Sequence, residues 1–241
     1  MPRAILFDLD DTLFDHHQSS VAALRTVHER FAPSAAFTAF ERHHTKYLEE
    51  MHIEVLAGRI EMNEARRERF RRVFRALGLD LPADRSDAVA MAYRTGYLTA
   101  RRAMEGAAEL LAALQGRARI GIVSNNLLDE QVEKLQFCGL DGFVDALVVS
   151  EEAGVSKPDP AIFRIALDRV GAQAEEAVMV GDSWAADIVG ARRAGIRAIW
   201  FNRWRAPRPA DDASPVEEIA ALTPVGPILS LLFDPRHVAT E

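Results

Sequence analysis

Five short, mostly apolar runs constrain this chain more than any other feature: residues 4–7, 119–123, 146–149, 177–180 and 198–201. Each is strand-length, and near-continuous apolarity without alternation is the pattern of a strand covered on both faces. Helical patterns lie between them. One begins behind an Asp159-Pro160 cap, places Ile162, Phe163, Ala166 and Val170 at helical spacing, and stops at Gly171. Ala107, Leu110, Leu111 and Leu114 repeat the device before Gly116, as do Ile188, Ala191 and Ala194 before Gly195. Strand–helix alternation of this kind predicts an α/β fold, a doubly wound parallel sheet with helices on both faces.

One connection breaks the alternation. The first strand ends near Asp8 and the second begins near Arg119, a gap of about 110 residues where a crossover needs only about a dozen. The insert must hold structure of its own, and no strand pattern is evident in it. Val21, Leu24, Val27 and Phe31 share one helical face; Phe70, Val73, Phe74 and Leu77 mark a second helix closed by Gly78; Ala88, Met91 and Ala92 suggest a third. We therefore expect a core from residues 1–14 and 101–241, with a helical subdomain, residues 15–100, inserted after the first strand. Residues 203–216 read as a surface loop, and residues 216–233 as a short strand and a last helix.

A chain of 241 residues can bury enough surface to fold without disulfide staples. Its single cysteine, Cys138, excludes an intrachain disulfide and a Cys-rich zinc site. The formal charge of −7 argues against broad nucleic-acid binding. No run approaches the roughly 20 apolar residues of a membrane span, and the opening residues do not read as a signal peptide. We expect a cytoplasmic protein with no nucleic-acid or membrane partner, and the sequence does not reveal its oligomeric state.

Ligands of open parallel sheets bind at the carboxyl ends of the strands. Just past the apolar runs stand Asp8, Asp10, Asp11 and Thr12; Ser124 and Asn125; Lys157, one loop beyond the third run; and Asp182, Ser183 and Asp187. Hard carboxylate oxygens suit Mg²⁺, which keeps several waters and takes phosphate oxygens as further ligands. Lys157 adds positive charge, and the Ser124 hydroxyl with the N–H groups of its turn can donate to phosphate. Such a set offers the positioning and charge neutralisation of phosphoryl transfer, with a carboxylate nucleophile and a second carboxylate as acid and base.

These residues carry a resemblance. Asp8-Leu9-Asp10-Asp11-Thr12 is similar to the first motif of the haloacid dehalogenase-like (HAD) hydrolase superfamily, Ser124 with Asn125 to its second, Lys157-Pro158-Asp159 to its third, and Gly181-Asp182-Ser183 with Asp187 to its fourth. The resemblance covers residues 4–15 and about 105–202, with the insert where that family carries a helical cap. It implies a Mg²⁺-dependent phosphatase of the helical-cap branch, acting on a small phosphorylated metabolite through an aspartyl-phosphate. Asp8 would be nucleophile and metal ligand, and Asp10 acid/base with its carbonyl on the metal. Ser124, Asn125 and Lys157 would hold the phosphate and Asp182 the metal, with Thr12, Ser183 and Asp187 in support. Dehalogenases of the superfamily lack the second aspartate and phosphonate-cleaving members carry a small residue there, so Asp10 points to phosphate esters. Phosphomutase and haloacid dehalogenase activity are the alternatives on this fold.

Other residues are read more plainly. Arg66, Arg67, Arg69, Arg71 and Arg72 stand among Glu61, Glu64 and Glu68, the composition of a solvated helix face. His16 and His17 read as surface linker residues, and His43, His44 and His52 as surface positions. Cys138 reads as a small core residue, and Trp184 either lines the site mouth or packs.

Overall fold

The apolar runs form five of the six strands of one sheet, with the run at 146–149 at one edge and the other four inside it. In the computed structural model of the chain, residues 2–210, 212 and 215–234 are described. The strands are β1 (Ala4–Phe7), β2 (Arg119–Ser124), β3 (Ala146–Val149), β4 (Ala177–Gly181), β5 (Arg197–Phe201) and an edge strand, β6 (Glu217–Ile219). All pair in parallel, in the order β3-β2-β1-β4-β5-β6. Ile5, Leu6 and Phe7 of β1 are completely buried, each such side chain contributing about 1.5–3 kcal/mol on burial. Register sets Phe7 opposite both Ile122 and Val180. The residues that follow β1, β2 and β4 therefore leave the sheet at the same edge, level to within about two residues' rise.

The chain divides into two compact units: residues up to Asp15 together with those from Arg102 onward, and His16–Arg101. The core thus keeps one residue more before the insert, and the insert one more at its end, than the expected limits of 14 and 100. The inserted unit holds α1 (His16–Phe31), α2 (Phe37–Leu56), α3 (Met62–Ala76) and α4 (Ser86–Ala100), with a short 3₁₀ turn at Ala83–Arg85. Helix α2 is missing from the expected set. Its buried residues are Phe40, His44 and Met51, so a histidine stands in the apolar stripe and hides its period. Helices α1 and α4 approach closely at Gly96, where a Cβ would lie 3.1 Å from the Ala23 Cα.

Around the sheet lie α5 (Ala107–Leu114), α6 (Leu128–Phe137), α7 (Ser150–Ala153), α8 (Pro160–Val170), α9 (Val189–Arg193) and α10 (Val225–Leu232). Helix α8 starts as its sequence dictates: the Asp159 carboxylate accepts from the Ala161 N–H, Pro160 occupies the first turn, and Gly171 ends it at φ 70°. Phe163, Ile162 and Ala166 of α8 and Ile188 and Ala191 before and in α9 cover one face over Leu6, Val123, Val148, Met179 and Trp200. The helix expected through Ile188, Ala191 and Ala194 is entered by a single π turn at Trp184–Ile188. The expected loop at 203–216 is irregular up to β6, although residues 211, 213 and 214 lie outside the described set.

Candidate active site

Asp8 is the first residue after β1, and its N–H still donates to the Val180 carbonyl, 3.0 Å away. The side chain is therefore fixed by a rigid strand and is 6% exposed. Beyond it the chain makes a tight loop in which the N–H groups of Thr12, Leu13 and Phe14 all donate to the Leu9 carbonyl. Asp11 takes the left-handed conformation at φ 63°, which aspartate tolerates better than most residues. The loop returns Thr12 to Asp8, and its hydroxyl donates to Asp8 Oδ2 at 3.2 Å.

Lys157 is the electrostatic centre of the site. Its Nζ lies 2.6 Å from Asp8 Oδ1 and 2.6 Å from Asp187 Oδ1, and also donates to the Val123 carbonyl at 2.7 Å. Burial opposes its charge, but the Asp187 and Asp8 carboxylates outweigh that and raise it, so the ammonium is kept protonated. One cation does not balance the acids around it. Asp8, Asp182 and Asp187 each direct a carboxylate oxygen to within 4.8 Å of the others. Burial pushes the Asp8 carboxyl well above the ordinary range against the opposing pull of Lys157, and Asp187 and Asp10 push it further. Burial raises Asp182 too, followed by repulsion from Asp8, Asp187 and Asp11. This excess of hard, mutually repelling oxygens fits a divalent cation. Asp187 is the most committed of the three: Oδ1 faces Lys157, and Oδ2 accepts from the Ser183 N–H at 2.9 Å. That leaves Asp8 and Asp182 as the better placed direct ligands.

Asp10 is gripped from the far side by residues that the sequence reading did not single out. Lys134 Nζ lies 2.6 and 2.8 Å from its two oxygens, Gln131 Nε2 donates at 2.9 Å, and Asn126 Nδ2 at 3.2 Å. Gln131 also donates to the Ser124 hydroxyl oxygen at 2.6 Å, which leaves that hydroxyl's proton free to be given to a ligand. Gln131 and Lys134 are buried on α6 beside Leu135. With two polar residues among the three buried on this helix, the sequence carries no apolar stripe that would have marked them.

Asn125 sits next to the site with its side chain engaged elsewhere. Its amide donates to the Lys157 carbonyl at 2.9 Å and accepts from the Lys157 N–H at 2.7 Å. It fixes the loop that presents Lys157, so any contact to phosphate would come from its backbone. Ser183 caps the π turn, its hydroxyl accepting from the Ala186 N–H. Asp8, Asp10, Thr12, Ser124, Lys157, Asp182 and Asp187 are thus joined at one sheet edge, directly or through Gln131, Lys134 and the Asn125 bracket.

The plainer readings fare unevenly. Trp184 packs edge-to-face on Trp200, 5.0 Å between centroids, while the Trp200 N–H donates to the Asp182 carbonyl. Arg67, Arg71 and Arg72 pair with Glu64, Glu68 and Glu50 on a half-exposed face. Arg69 departs from the solvated-face reading: it is 6% exposed, because it falls in the buried stripe of α3 with Ala65, Phe70, Val73 and Phe74. His44 is likewise not at the surface but 1% exposed. His16 is half-buried and bonded to the Tyr97 hydroxyl at 2.8 Å, whereas His17 is exposed. Cys138 is half-buried at the end of α6 rather than in the core.

Comparison with known proteins gives a concordant result. A model of haloacid dehalogenase-like hydrolases matches residues 2–195. The chain is 34% identical over 212 residues to the ribulose-1,5-bisphosphate 5-phosphatase of Halopiger xanaduensis, covering 84% of this chain and 85% of that one. The structure of the HAD-hydrolase YfnB from Bacillus subtilis, bound to magnesium, is similar with a TM-score of 0.75 and 26% identity, over 95% of this chain and 98% of that one. A 2-haloacid dehalogenase from Pseudomonas syringae pv. Tomato is similar with a TM-score of 0.61 and 27% identity, over 96% and 99%.

Proposed function

The chain belongs to the haloacid dehalogenase-like hydrolase family, and from that premise we propose that it is a Mg²⁺-dependent phosphomonoesterase working on a small phosphorylated metabolite through an aspartyl-phosphate on Asp8. The observation that carries this reading is the joint placement of Asp8, Lys157 and Asp182 with a second aspartate, Asp10, two residues past the first.

Asp8 has the attributes of a nucleophile: rigid, buried, and oriented by Lys157 on one oxygen and Thr12 on the other. Its carboxylate would attack phosphorus as the ester oxygen departs, and water would then cleave the acyl phosphate and regenerate it. Asp10 would give a proton to the departing oxygen and later take one from the attacking water. To do so it must release part of the grip of Lys134, Gln131 and Asn126, which holds it ready in the resting enzyme. The Ser124 hydroxyl and the Lys157 ammonium would bind the phosphoryl oxygens. A divalent cation on Asp8 and Asp182, with the Asp10 carbonyl as a further ligand and Asp187 in support, would neutralise charge on those oxygens. A sugar phosphate heads the candidate substrates, since the phosphatase relative is named for ribulose-1,5-bisphosphate.

The test is a Mg²⁺-dependent screen of phosphorylated metabolites, with 2-haloacids and a bisphosphate-primed mutase assay beside it. We expect phosphate release with Mg²⁺, and a loss of at least about a thousandfold in kcat for Asp8→Asn with the fold unchanged. Metal-independent dehalogenation without ester hydrolysis, or full activity in Asp8→Asn, would overturn the reading.

A further inference from the structure

The inserted unit buries an arginine that has no acidic partner among the described residues. Arg69 projects from the covered face of α3 and is 6% exposed. Among the described residues its Nε is fully buried with no hydrogen-bond partner, and no carboxylate is bonded or ion-paired to it. Glu64 and Glu68 of its own helix are engaged instead by Arg67, Arg71 and Arg72. Its described contacts are two rings: the guanidinium carbon lies 5.1 Å from the Phe70 centroid and 4.7 Å from that of Tyr93. Against the same two rings, 5.5 and 4.9 Å between centroids, stands His44, whose Nε2 is also buried and unpartnered. Burial, and then the charge of Arg69, hold that imidazole neutral.

Ring faces attract a guanidinium but accept none of its N–H bonds in the way an oxyanion does. A buried arginine normally has an anion against it, since an unpaired interior charge is among the costliest features a fold can keep. We propose that Arg69, with His44 beside it across Phe70 and Tyr93, is a receptor for the carboxylate group of a small molecule. Charge and shape favour a carboxylate over a phosphate dianion. With His44 neutral, the cluster offers one positive charge, which a monoanion cancels and a dianion exceeds. The planar guanidinium fork also matches two coplanar carboxylate oxygens. The Tyr93 hydroxyl is already paired with Ser20 Oγ at 2.9 Å, so Tyr93 serves as a wall and the donors are Arg69 and His44. The Phe70 and Tyr93 rings favour an apolar body behind the carboxylate.

The inference concerns the inserted unit and does not depend on the phosphatase reading. It can be tested on the full-length protein by following the Arg69 Nε–H resonance, assigned through its contacts to the Phe70 and Tyr93 ring protons. The probes are acetate, benzoate and inorganic phosphate, with chloride matching the ionic strength. We expect a saturable shift with the carboxylates, greater affinity for benzoate, and no shift with phosphate at a pH above its second ionisation, where it is the dianion. The wild-type melting temperature should rise by about 5–10 °C at a hundredfold excess over Kd. Arg69→Met keeps the length and the ring contacts of the side chain and should lose that rise. An Arg69 resonance indifferent to both carboxylates, or one moved by phosphate alone, would overturn the assignment even if Arg69→Met failed to fold. A melting rise that survives in folded Arg69→Met would do the same.

Discussion

An ammonium within 2.6 Å of two carboxylates, and 95% buried, cannot be removed cheaply. Lys157→Met would leave the buried Asp8 and Asp187 carboxylates facing each other with no cation between them. We expect a loss of about 3–5 kcal/mol in urea unfolding, together with loss of turnover. Wild-type stability in this variant would show that Lys157 is not the partner the geometry makes it. At this scale the sequence was most legible where a polar residue follows an apolar run, as at Asp8 and Asp182. It was least legible where a polar residue turns inward from a helix. Lys134 and Gln131 look like ordinary solvated helix residues, and only the position of Asp10 gives them a role. Arg69 hid among four other arginines for the same reason: one helical position decides between solvent and interior, and composition does not register it.

Between elements, the positioning of Lys157 rests on the contact of α8 and α9. A Cβ on Gly190 of α9 would lie 2.7 Å from Phe163 and 2.9 Å from the Pro158 Cα, the residue after the lysine. Gly190→Ala should therefore displace the lysine loop, lower stability by about 1–3 kcal/mol and lower kcat. Gly142→Ala, which meets nothing within 4 Å, should change stability by no more than about 0.5 kcal/mol. Calorimetry and steady-state kinetics on the pair distinguish crowding from a general intolerance of glycine loss. Elements with uniform stripes, such as α5 and α8, were readable as written. Helix α2 was not, because His44 occupies a core position, and the π turn at Trp184–Ile188 leaves no periodic trace.

At the scale of the molecule, the parallel sheet and the large insert were legible, while the strand order was not. Periodicity says that a strand is buried but not which strand lies beside it. That order places β1 between β2 and β4 and so brings Asp8 between Ser124 and the Asp182 cluster. Because the three clustered carboxylates repel one another, a bound divalent cation should stabilise the native state by mass action. We expect the melting temperature to rise with Mg²⁺ and fall back with EDTA. The rise should be smaller in Asp182→Asn, and a midpoint indifferent to Mg²⁺ would count against a metal site there.

The chain leaves the sheet-bearing unit at Asp15 and re-enters it at Arg102, and the two passages are stitched together. The Asp15 N–H donates to the Arg102 carbonyl at 3.1 Å, the Met104 N–H to the Leu13 carbonyl at 2.7 Å, and the Arg102 guanidinium clasps the Asp15 carboxylate at 2.7 and 2.9 Å. Departure and return therefore form a socket whose two contacts lie side by side. Any segment with neighbouring termini can be plugged in there, however large, while the hydrogen-bonded ladder beneath continues undisturbed. In such an architecture the chemistry near Asp8 and the identity of the plugged-in segment are free to evolve on separate schedules.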